Sequence, residues 1–159
     1  MAVERLRERL PELRSLRDLT WDSFEALQGV LPDPLDRRVR HVLAENARVS
    51  EMAVALAAND YETIRRCMAA SHASLRDLYQ VSTPELDLLV DITSGQPGVI
   101  GTRMMGGGFG GCTLTLAERP AVERLGAVMR DGYARATGRV PDLFVCEASD
   151  AAMAFTGAR

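Results

Sequence analysis

The sequence has no lysine: all nineteen basic residues among its 159 are arginine. This absence excludes a nucleotide-binding P-loop, because that motif ends in Gly-Lys-Ser/Thr. The formal net charge is −3, so no excess of positive charge would attract nucleic acid or an anionic membrane. No apolar run is long enough to span a bilayer, and the first residues do not follow a signal-peptide pattern. We therefore expect a cytoplasmic protein that binds neither nucleic acid nor membranes.

Cysteine is scarce as well, and Cys67, Cys112 and Cys146 are widely separated. An odd number at wide spacing is not typical of a disulfide framework or of a metal site. Each cysteine lies within an apolar pattern. We therefore expect three buried free thiols and no bound metal.

The length suits one domain, and hydrophobic and charged contents of 47% and 26% are ordinary for a globular protein. Residues 1–19 interleave arginine with glutamate. They are predicted to form an N-terminal arm or helix that is either solvated or docked on a surface outside this chain. Residues 20–159 are expected to form the domain itself.

Two long helical segments follow the arm. Apolar residues recur at helical spacing from Leu35 to Ala58 and again from about Tyr61 to Tyr79. The connection through Asn59 and Asp60 is too short for anything except an antiparallel helical hairpin. In the first helix, one stripe is expected to face inward: Val39, Val42, Leu43, Asn46, Val49, Ala53, Val54 and Ala57.

The remaining chain mixes helices and strands. A hydroxyl cap followed by Pro84 begins a helix that ends at Gly95. Two strands are predicted on either side of a glycine-rich segment, then a helix from Pro120 to about Thr137 and a last short strand from Leu143 to Cys146. The order α-β-β-α-β predicts an α+β fold. It comprises a ferredoxin-like unit with an antiparallel sheet, preceded by the helical hairpin.

The segment between the two predicted strands, residues 106–111, holds five of the thirteen glycines. After it, Cys112, Leu114 and Leu116 alternate with threonines, as in a strand with one buried face. A hairpin turn needs only one or two glycines. Five indicate a backbone that another group approaches closely, and successive N–H groups of such a loop can form an anion site.

Other interpretations of these glycines are available. A flexible hairpin tip is the simplest, since such loops are often only turns. Gly106, Gly108 and Gly111 fit the dinucleotide-binding pattern G-x-G-x-x-G. That pattern must open a helix, however, and here a strand follows.

The segment Gly101–Cys112 resembles the third sequence motif of the GHMP small-molecule kinases, in the form found in galactokinases. The segments Ser71–Asp87 and Arg38–Arg48 resemble the same family, in the same order and spacing. The resemblance runs from about Leu16 to Asp150 and covers the C-terminal half of these kinases. It implies a GHMP kinase C-terminal domain.

This resemblance implies a place beside the phosphates of ATP for six residues: Gly106, Gly107, Gly108, Phe109, Gly110 and Gly111. Phosphoryl transfer also needs a metal and groups near the acceptor hydroxyl. In the family, the sugar-binding signature, the principal phosphate loop, and the catalytic aspartate and arginine lie in an N-terminal domain without a counterpart here. No catalytic residue and no metal ligand is therefore expected in this chain. Both ATP and Mg²⁺ are expected to need that domain.

Five residues are expected to support the loop. Arg103 is a candidate for bracing it or for meeting phosphate, with a structural ion pair as the alternative. Arg76 and Asp77 are expected to hydrogen-bond the loop or a neighbouring segment, and Ser71 opens the same motif. The family commonly has threonine where Met105 stands, so a hydroxyl is missing from the active-site side.

Ser71 and His72 are not expected to act as a nucleophile and base. Adjacent positions on a helix do not face each other, and no third group is placed by the sequence to orient the pair. A lone histidine in a helical hairpin is more often packed or on the surface.

By resemblance, the parent protein transfers the γ-phosphate of ATP to the anomeric hydroxyl of galactose, and the 159 residues alone are expected to be inactive. The alternatives are a stand-alone binding module, one part of a split kinase, or another GHMP kinase. The expected partners are the sugar and ATP of the complete enzyme. We also expect either the missing N-terminal domain or a second copy of the chain on the surface that this domain would cover.

Overall fold

The structure, a computed structural model, describes residues 1–148. In this part of the chain six α-helices and two strands have these bounds: α1, Ala2–Arg7; α2, Trp21–Glu25; α3, Leu35–Ala58; α4, Tyr61–Ser74; α5, Pro84–Ser94; β1, Val99–Met105; β2, Cys112–Ala117; α6, Val122–Thr137. Short 3₁₀ turns cover Leu16–Asp18 and Arg119–Ala121, and a π-helical turn, Leu75–Tyr79, continues α4. None of the helices within residues 1–148 has the length and apolarity to cross a membrane. Residues 149–159 lie outside the described residues. They include the end of the predicted domain and Asp150, where the segment that resembles the kinase family ends.

The predicted helical hairpin is confirmed in α3 and α4. Asn59 ends α3 in a left-handed conformation with φ of 53°, and the Asp60 carboxylate caps α4 by accepting a hydrogen bond from the Thr63 N–H at 3.1 Å. Side chains then pair across the hairpin in antiparallel order: Glu51 with Cys67, Glu45 with Ser71, and His41 with Ser74.

The second half of α3 does not bury the predicted stripe. Val49 and Val54 are 69% and 71% exposed, whereas Ala55 is buried. The reason is that α4 and β1 meet α3 along the line through Met52 and Ala55, where Ile64 completes the apolar cluster. Helical spacing alone permits either line, so the packing partner decides between them.

Residues 1–19 are not a solvated arm. Leu6, Leu13 and Leu19 are at most 5% exposed and join a cluster with Phe24 of α2 and Leu43 of α3. Burial of these side chains holds the N-terminal segment against the helical hairpin, so its leucines need no docking surface outside the chain.

The two predicted strands and the glycine-rich segment between them are confirmed. Within residues 1–148, β1 and β2 form an antiparallel two-stranded sheet, in which Thr102 lies opposite Thr115 and Met105 lies opposite Cys112. Helix α5 covers one face of the sheet, where the Thr93 hydroxyl oxygen lies 3.3 Å from that of Thr102. The two strands differ in their other surroundings.

Strand β1 is enclosed by α4 as well as by α5. The Met68 side chain of α4 lies so close to Gly101 that a Cβ there would be 2.7 Å from its Sδ. Two hydrogen bonds reach the β1 backbone from α4: Arg65 donates to the Val99 carbonyl at 3.5 Å, and His72 accepts from the Met104 N–H at 3.3 Å.

Strand β2 is covered on the face opposite to the one expected. Thr115 points inward, with its hydroxyl 3.0 Å from that of Thr102, whereas Leu114 and Leu116 are 51% and 38% exposed. The reason is that the Thr115 hydroxyl meets that of Thr102 in β1, which lies beside the Thr93 hydroxyl of α5. Among the described residues, no element is placed over the leucines.

The predicted last strand, Leu143–Cys146, is absent from the described part of the chain. Residues 141–148 follow α6 instead: Leu143 lies against Gly126, and Glu147 pairs with Arg119. Phe144 and Val145 are 83% and 76% exposed. The segment is therefore held by contacts with α6 and the turn before it, and it pairs with neither β1 nor β2.

Candidate functional site

The glycine-rich loop, residues 106–111, joins β1 to β2 in a conformation that few side chains tolerate. Five of its six residues have positive φ: Gly106 (80°), Gly108 (79°), Phe109 (59°), Gly110 (120°) and Gly111 (93°). A Cβ makes this region of φ unfavourable, which accounts for the run of glycines.

One backbone carbonyl anchors the centre of the loop. The Phe109 N–H donates to the Val81 carbonyl oxygen at 2.8 Å. Gly108 lies against the same carbonyl, so a Cβ at this position would be 2.2 Å from the Val81 oxygen. Because the obstacle is backbone and not a flexible side chain, position 108 has no room for any residue except glycine.

Val81 is itself held firmly. The π-helical turn Leu75–Tyr79 ends at Gln80, whose φ is 61°, and the Val81 N–H donates to the Leu75 carbonyl at 3.0 Å. The Val81 side chain is buried with Leu86 and Met104. Wide helical turns of this kind occur frequently at functional sites. Here the turn presents the carbonyl that the glycine loop binds.

The rest of the loop is open. A Cβ added at Gly106, Gly107, Gly110 or Gly111 would meet no atom within 4 Å. The N–H groups of Gly107 and Gly110 donate no hydrogen bond within the described residues. The loop therefore combines a fixed centre with unengaged donors on either side of it, an arrangement that suits an anion.

A buried histidine fixes the last residues of β1 before the loop. His72 is 5% exposed; its Nδ1 accepts from the Met104 N–H, and its Nε2 lies 3.2 Å from Asp87 Oδ1. These partners require a neutral ring with the proton on Nε2. Burial lowers the pKa of His72 even though the Asp87 charge acts to raise it. Asp87 also accepts from the Ser82 hydroxyl at 2.5 Å, so α4, β1 and α5 meet at this point.

Ser71 and Arg103 converge on Glu45 of α3 and not on the loop. The Ser71 hydroxyl donates to Glu45 Oε2 at 2.7 Å, Arg48 donates to Oε1 at 2.6 Å, and an Arg103 nitrogen lies 3.9 Å from Oε2. Burial acts to raise the pKa of Glu45, but hydrogen bonds from Ser71 and Arg48 outweigh it and hold that pKa below its usual range. Arg103 also donates to the Met104 carbonyl at 2.9 Å, so it braces the end of β1.

The three other predicted supporting residues lie near the surface. On the π-helical turn, Arg76 donates two hydrogen bonds to the Asp77 carboxylate, at 2.8 and 3.0 Å. Within residues 1–148, neither residue forms a hydrogen bond with the loop. Met105 is 46% exposed and lies opposite Cys112 at the base of the loop. A role for these three at a bound ligand stays a prediction.

Within residues 1–148, no three histidine, cysteine, aspartate or glutamate side chains come together as a metal site would require. The three cysteines are free thiols, but only Cys67 is buried, whereas Cys112 and Cys146 are exposed. Burial, with a hydrogen bond to Glu51, raises the pKa of the Cys67 thiol.

Sequence reasoning missed three residues that organise the site: Glu45, Val81 and Asp87. Glu45 and Asp87 are acidic residues within two segments that resemble the kinase family. Their position in those segments is the sequence feature that could have identified them. Val81 acts through its main-chain carbonyl, so no side-chain pattern could have identified it.

The chain is similar to known proteins of one family. The family described as GHMP kinases C terminal matches residues 52–135, just over half of the chain. The galactokinase of Roseiflexus sp. (strain RS-1) is 47% identical over 149 residues, which cover 94% of this chain and 38% of that protein. The galactokinase of Homo sapiens is 41% identical over 138 residues, covering 87% of this chain and 34% of that protein.

A solved structure shows the same fold. The crystal structure of Lactococcus lactis galactokinase complexed with galactose matches with a TM-score of 0.81 and 34% sequence identity, covering 87% of this chain and 36% of that one. The chain thus spans little more than a third of the length of these relatives. By its family match, its identity to these relatives and its fold, the chain belongs to the GHMP kinase C-terminal domain family.

Proposed function

We propose that this chain is the C-terminal domain of a galactokinase-like sugar kinase, with the loop 106–111 beside the phosphates of ATP. The parent reaction is transfer of the γ-phosphate of ATP to the anomeric hydroxyl of galactose. The relatives and the matching structure are galactokinases, and that structure holds galactose. One observation carries the loop's assignment: Val81 fixes the centre of the loop and leaves neighbouring N–H donors unengaged.

The loop fits phosphate oxygens chemically. Backbone N–H groups bind an anion through directed, charge-assisted hydrogen bonds without bringing a flexible side chain into the site. Open space around Gly106, Gly107, Gly110 and Gly111 lets a ligand approach the main chain directly. Donors held in place in this way suit the charge that phosphoryl transfer spreads over oxygens, because they need not reorganise during the reaction.

The described residues do not fit Mg²⁺, since they form no cluster of suitable ligands. We propose that the metal, the sugar and the catalytic groups are held by an N-terminal portion like that of the longer relatives. That portion is then the principal partner of this chain. The isolated 159 residues are proposed to be inactive, and the cytoplasm is the proposed compartment.

A chimera tests this function. The matched C-terminal part of the Roseiflexus galactokinase is replaced by this chain, and ADP release is measured with ATP, Mg²⁺ and galactose. We expect the chimera to turn over and the isolated chain to remain at background. Absence of turnover in a folded chimera would contradict the kinase assignment, and turnover by the isolated chain would contradict its inactivity.

The loop is tested in the same chimera. Gly108→Ala places a Cβ against the Val81 carbonyl and should lower kcat/KM by at least about tenfold, because a displacement of about 1 Å at a reacting centre can cost that much or more. Gly95→Ala is the matched control, since Gly95 has ordinary φ, open space and no place in the loop. Equal activity of the two variants would remove the loop from the mechanism.

A further inference from the structure

We propose that Asp87 is a positioning residue for the glycine-rich loop, because one of its carboxylate oxygens connects the two groups that hold the loop and the strand end before it. Those groups are the His72 ring, which binds the Met104 N–H, and the Val81 carbonyl, which binds the Phe109 N–H. The inference rests on the proposed function only in taking this loop as the part of the domain that meets the phosphates. The connection itself does not depend on the kinase reaction.

The first connection runs through His72. Asp87 lies in the first turn of α5, and its carboxylate, when ionised, only accepts hydrogen bonds. The His72 Nε2, which lies 3.2 Å from Asp87 Oδ1, therefore carries the ring proton. The other ring nitrogen, Nδ1, is then an acceptor, and it binds the Met104 N–H at 3.3 Å. Asp87 thus selects the form of the ring that can hold the end of β1.

The second connection runs through Ser82. The Ser82 hydroxyl donates to the same atom, Asp87 Oδ1, at 2.5 Å. The Val81 carbonyl belongs to the planar peptide unit that joins Val81 to Ser82, so a fixed Ser82 also fixes the direction of that carbonyl. On its other side, Val81 is held by the bond from its N–H to the Leu75 carbonyl. The carbonyl that binds the centre of the loop is therefore held from both sides.

Both connections meet on one atom outside the loop. A segment that is tied at one point can turn about that point, whereas a segment tied at two points is fixed in direction as well. The two tied points, Met104 and Phe109, bracket the first half of the loop, and each is reached from Asp87 through intermediate groups. Supporting hydrogen bonds of this kind hold functional groups in the geometry that they need. Asp87 therefore acts on the loop without touching a ligand.

Amide hydrogen exchange of the 159-residue chain tests the proposal without a kinase assay. In Asp87→Ala, the Met104 and Phe109 amides should both exchange at least about tenfold faster relative to the Leu43 amide of α3, because each loses a hydrogen-bonded support. The ratio to Leu43 removes any general loss of stability. Asp91→Ala, which removes an exposed carboxylate one turn further along α5, is the matched control and should leave both ratios unchanged.

Two further variants separate the connections. Ser82→Ala removes only the second, so the Phe109 amide should exchange faster while the Met104 amide keeps its rate. Asp87→Asn should restore most of the protection of both amides, since its amide oxygen can accept from both partners of Oδ1. The ¹⁵N shifts of the His72 ring should place the proton on Nε2 in the unchanged chain and in Asp87→Asn, and should show a mixture of both neutral forms in Asp87→Ala.

The exchange results decide the proposal. It is overturned if the Phe109 amide in Asp87→Ala is no faster than in the Asp91→Ala control. It is also overturned if Asp87→Asn behaves like Asp87→Ala in both amides, because the shared oxygen would then not be what holds the loop.

The chimera with the Roseiflexus galactokinase separates this result from the proposed function. There Asp87→Ala should lower kcat/KM for ATP by at least about tenfold, because the loop is displaced, and Asp87→Asn should restore most of it. If the amides respond as expected and the activity of the chimera does not, the place of the loop beside the phosphates is contradicted, whereas the positioning of the loop by Asp87 is supported.

Discussion

The two strands of the sheet have opposite surroundings although they pair residue by residue. Strand β1 is enclosed between α4 and α5, and Met104 and Thr102 are 0% and 3% exposed. Beside β1, strand β2 meets α5 and, at Ala117, the cluster of Ala121 and Leu125, while its leucines face outward. The glycine loop joins them, so one end of the loop belongs to the interior and the other to the surface.

This difference shows that an alternating pattern does not by itself reveal which face is buried. In β2 the apolar residues were expected inside, but the threonines lie there, because the hydroxyl of Thr115 meets that of Thr102. A chain of hydroxyl groups satisfies its own hydrogen bonds and can therefore be buried. The leucines of β2 are therefore left partly exposed among the described residues.

The largest expected difference between the strands is in the stability contributed by one apolar side chain. Met104→Ala removes a fully buried side chain and should lower the free energy of unfolding by about 3 kcal/mol. Leu114→Ala, in the neighbouring strand, should lower it by less than about 1 kcal/mol, since half of that side chain is already in water. Urea unfolding followed by circular dichroism, at protein concentrations too low for association, measures both. Equal losses would mean that β2 is covered in solution.

The loop should show a smaller, graded effect. Gly108→Ala combines positive φ with a contact against the Val81 carbonyl and should cost about 2 kcal/mol of unfolding free energy. Gly106→Ala has the same φ but open space, so it isolates the conformational strain, at about 1 kcal/mol. Gly95→Ala has neither and should cost almost nothing.

The order of these three variants is the informative result. If Gly108→Ala costs no more than Gly106→Ala, the loop is not anchored by Val81 and moves away from it freely. Loop anchoring can be checked independently, since loss of the hydrogen bond to the Val81 carbonyl should speed exchange of the Phe109 amide.

The sequence was sufficient for those parts of the fold that local chemistry dictates. Asn59 and Asp60 end and begin helices through their own side chains and backbone, and Thr83 with Pro84 does the same for α5. The density of glycines marked the loop because positive φ restricts the choice of residue to a very short list. Each of these signals is contained within a few residues.

Features that depend on distant partners could not be predicted in this way. The buried line of α3 is set by the residues of α4 and β1 that pack against it, and the predicted last strand instead lies along α6, where Leu143 meets Gly126. At the site, Val81 acts through a carbonyl that every residue type possesses. The pairing of His72 with Asp87 joins two helices that the sequence does not show to be adjacent.

The smallest expected effect is a pH dependence confined to the β1 side of the loop. Burial lowers the pKa of His72 in the folded protein, whereas the unfolded chain should titrate near its ordinary value of about 6.5. Below that pH the unfolded state binds more protons than the folded state, so the stability of the protein falls as the solution is acidified. Above that pH the contribution of neutral His72 to stability is fully present. Asp87 and Asp91 oppose the shift and Arg76 supports it. Burial also lowers the pKa of His41, so protonation of His41 adds a further loss of stability on acidification.

Protonation at Nδ1 would also break the bond from the Met104 N–H, because that nitrogen would become a donor. As the pH falls below neutral, and before the carboxylates titrate, the Met104 amide should therefore lose protection against hydrogen exchange. Protection here means the exchange rate relative to the intrinsic rate at the same pH. The Leu114 amide on β2 should not respond in this way. His72→Asn retains an acceptor near the Nδ1 position without the titration, so it should abolish the Met104 response while leaving the part of the stability loss that belongs to His41. If Met104 still responded in that variant, the acid-sensitive contact would lie elsewhere, and the two strands would differ in packing but not in their dependence on protons.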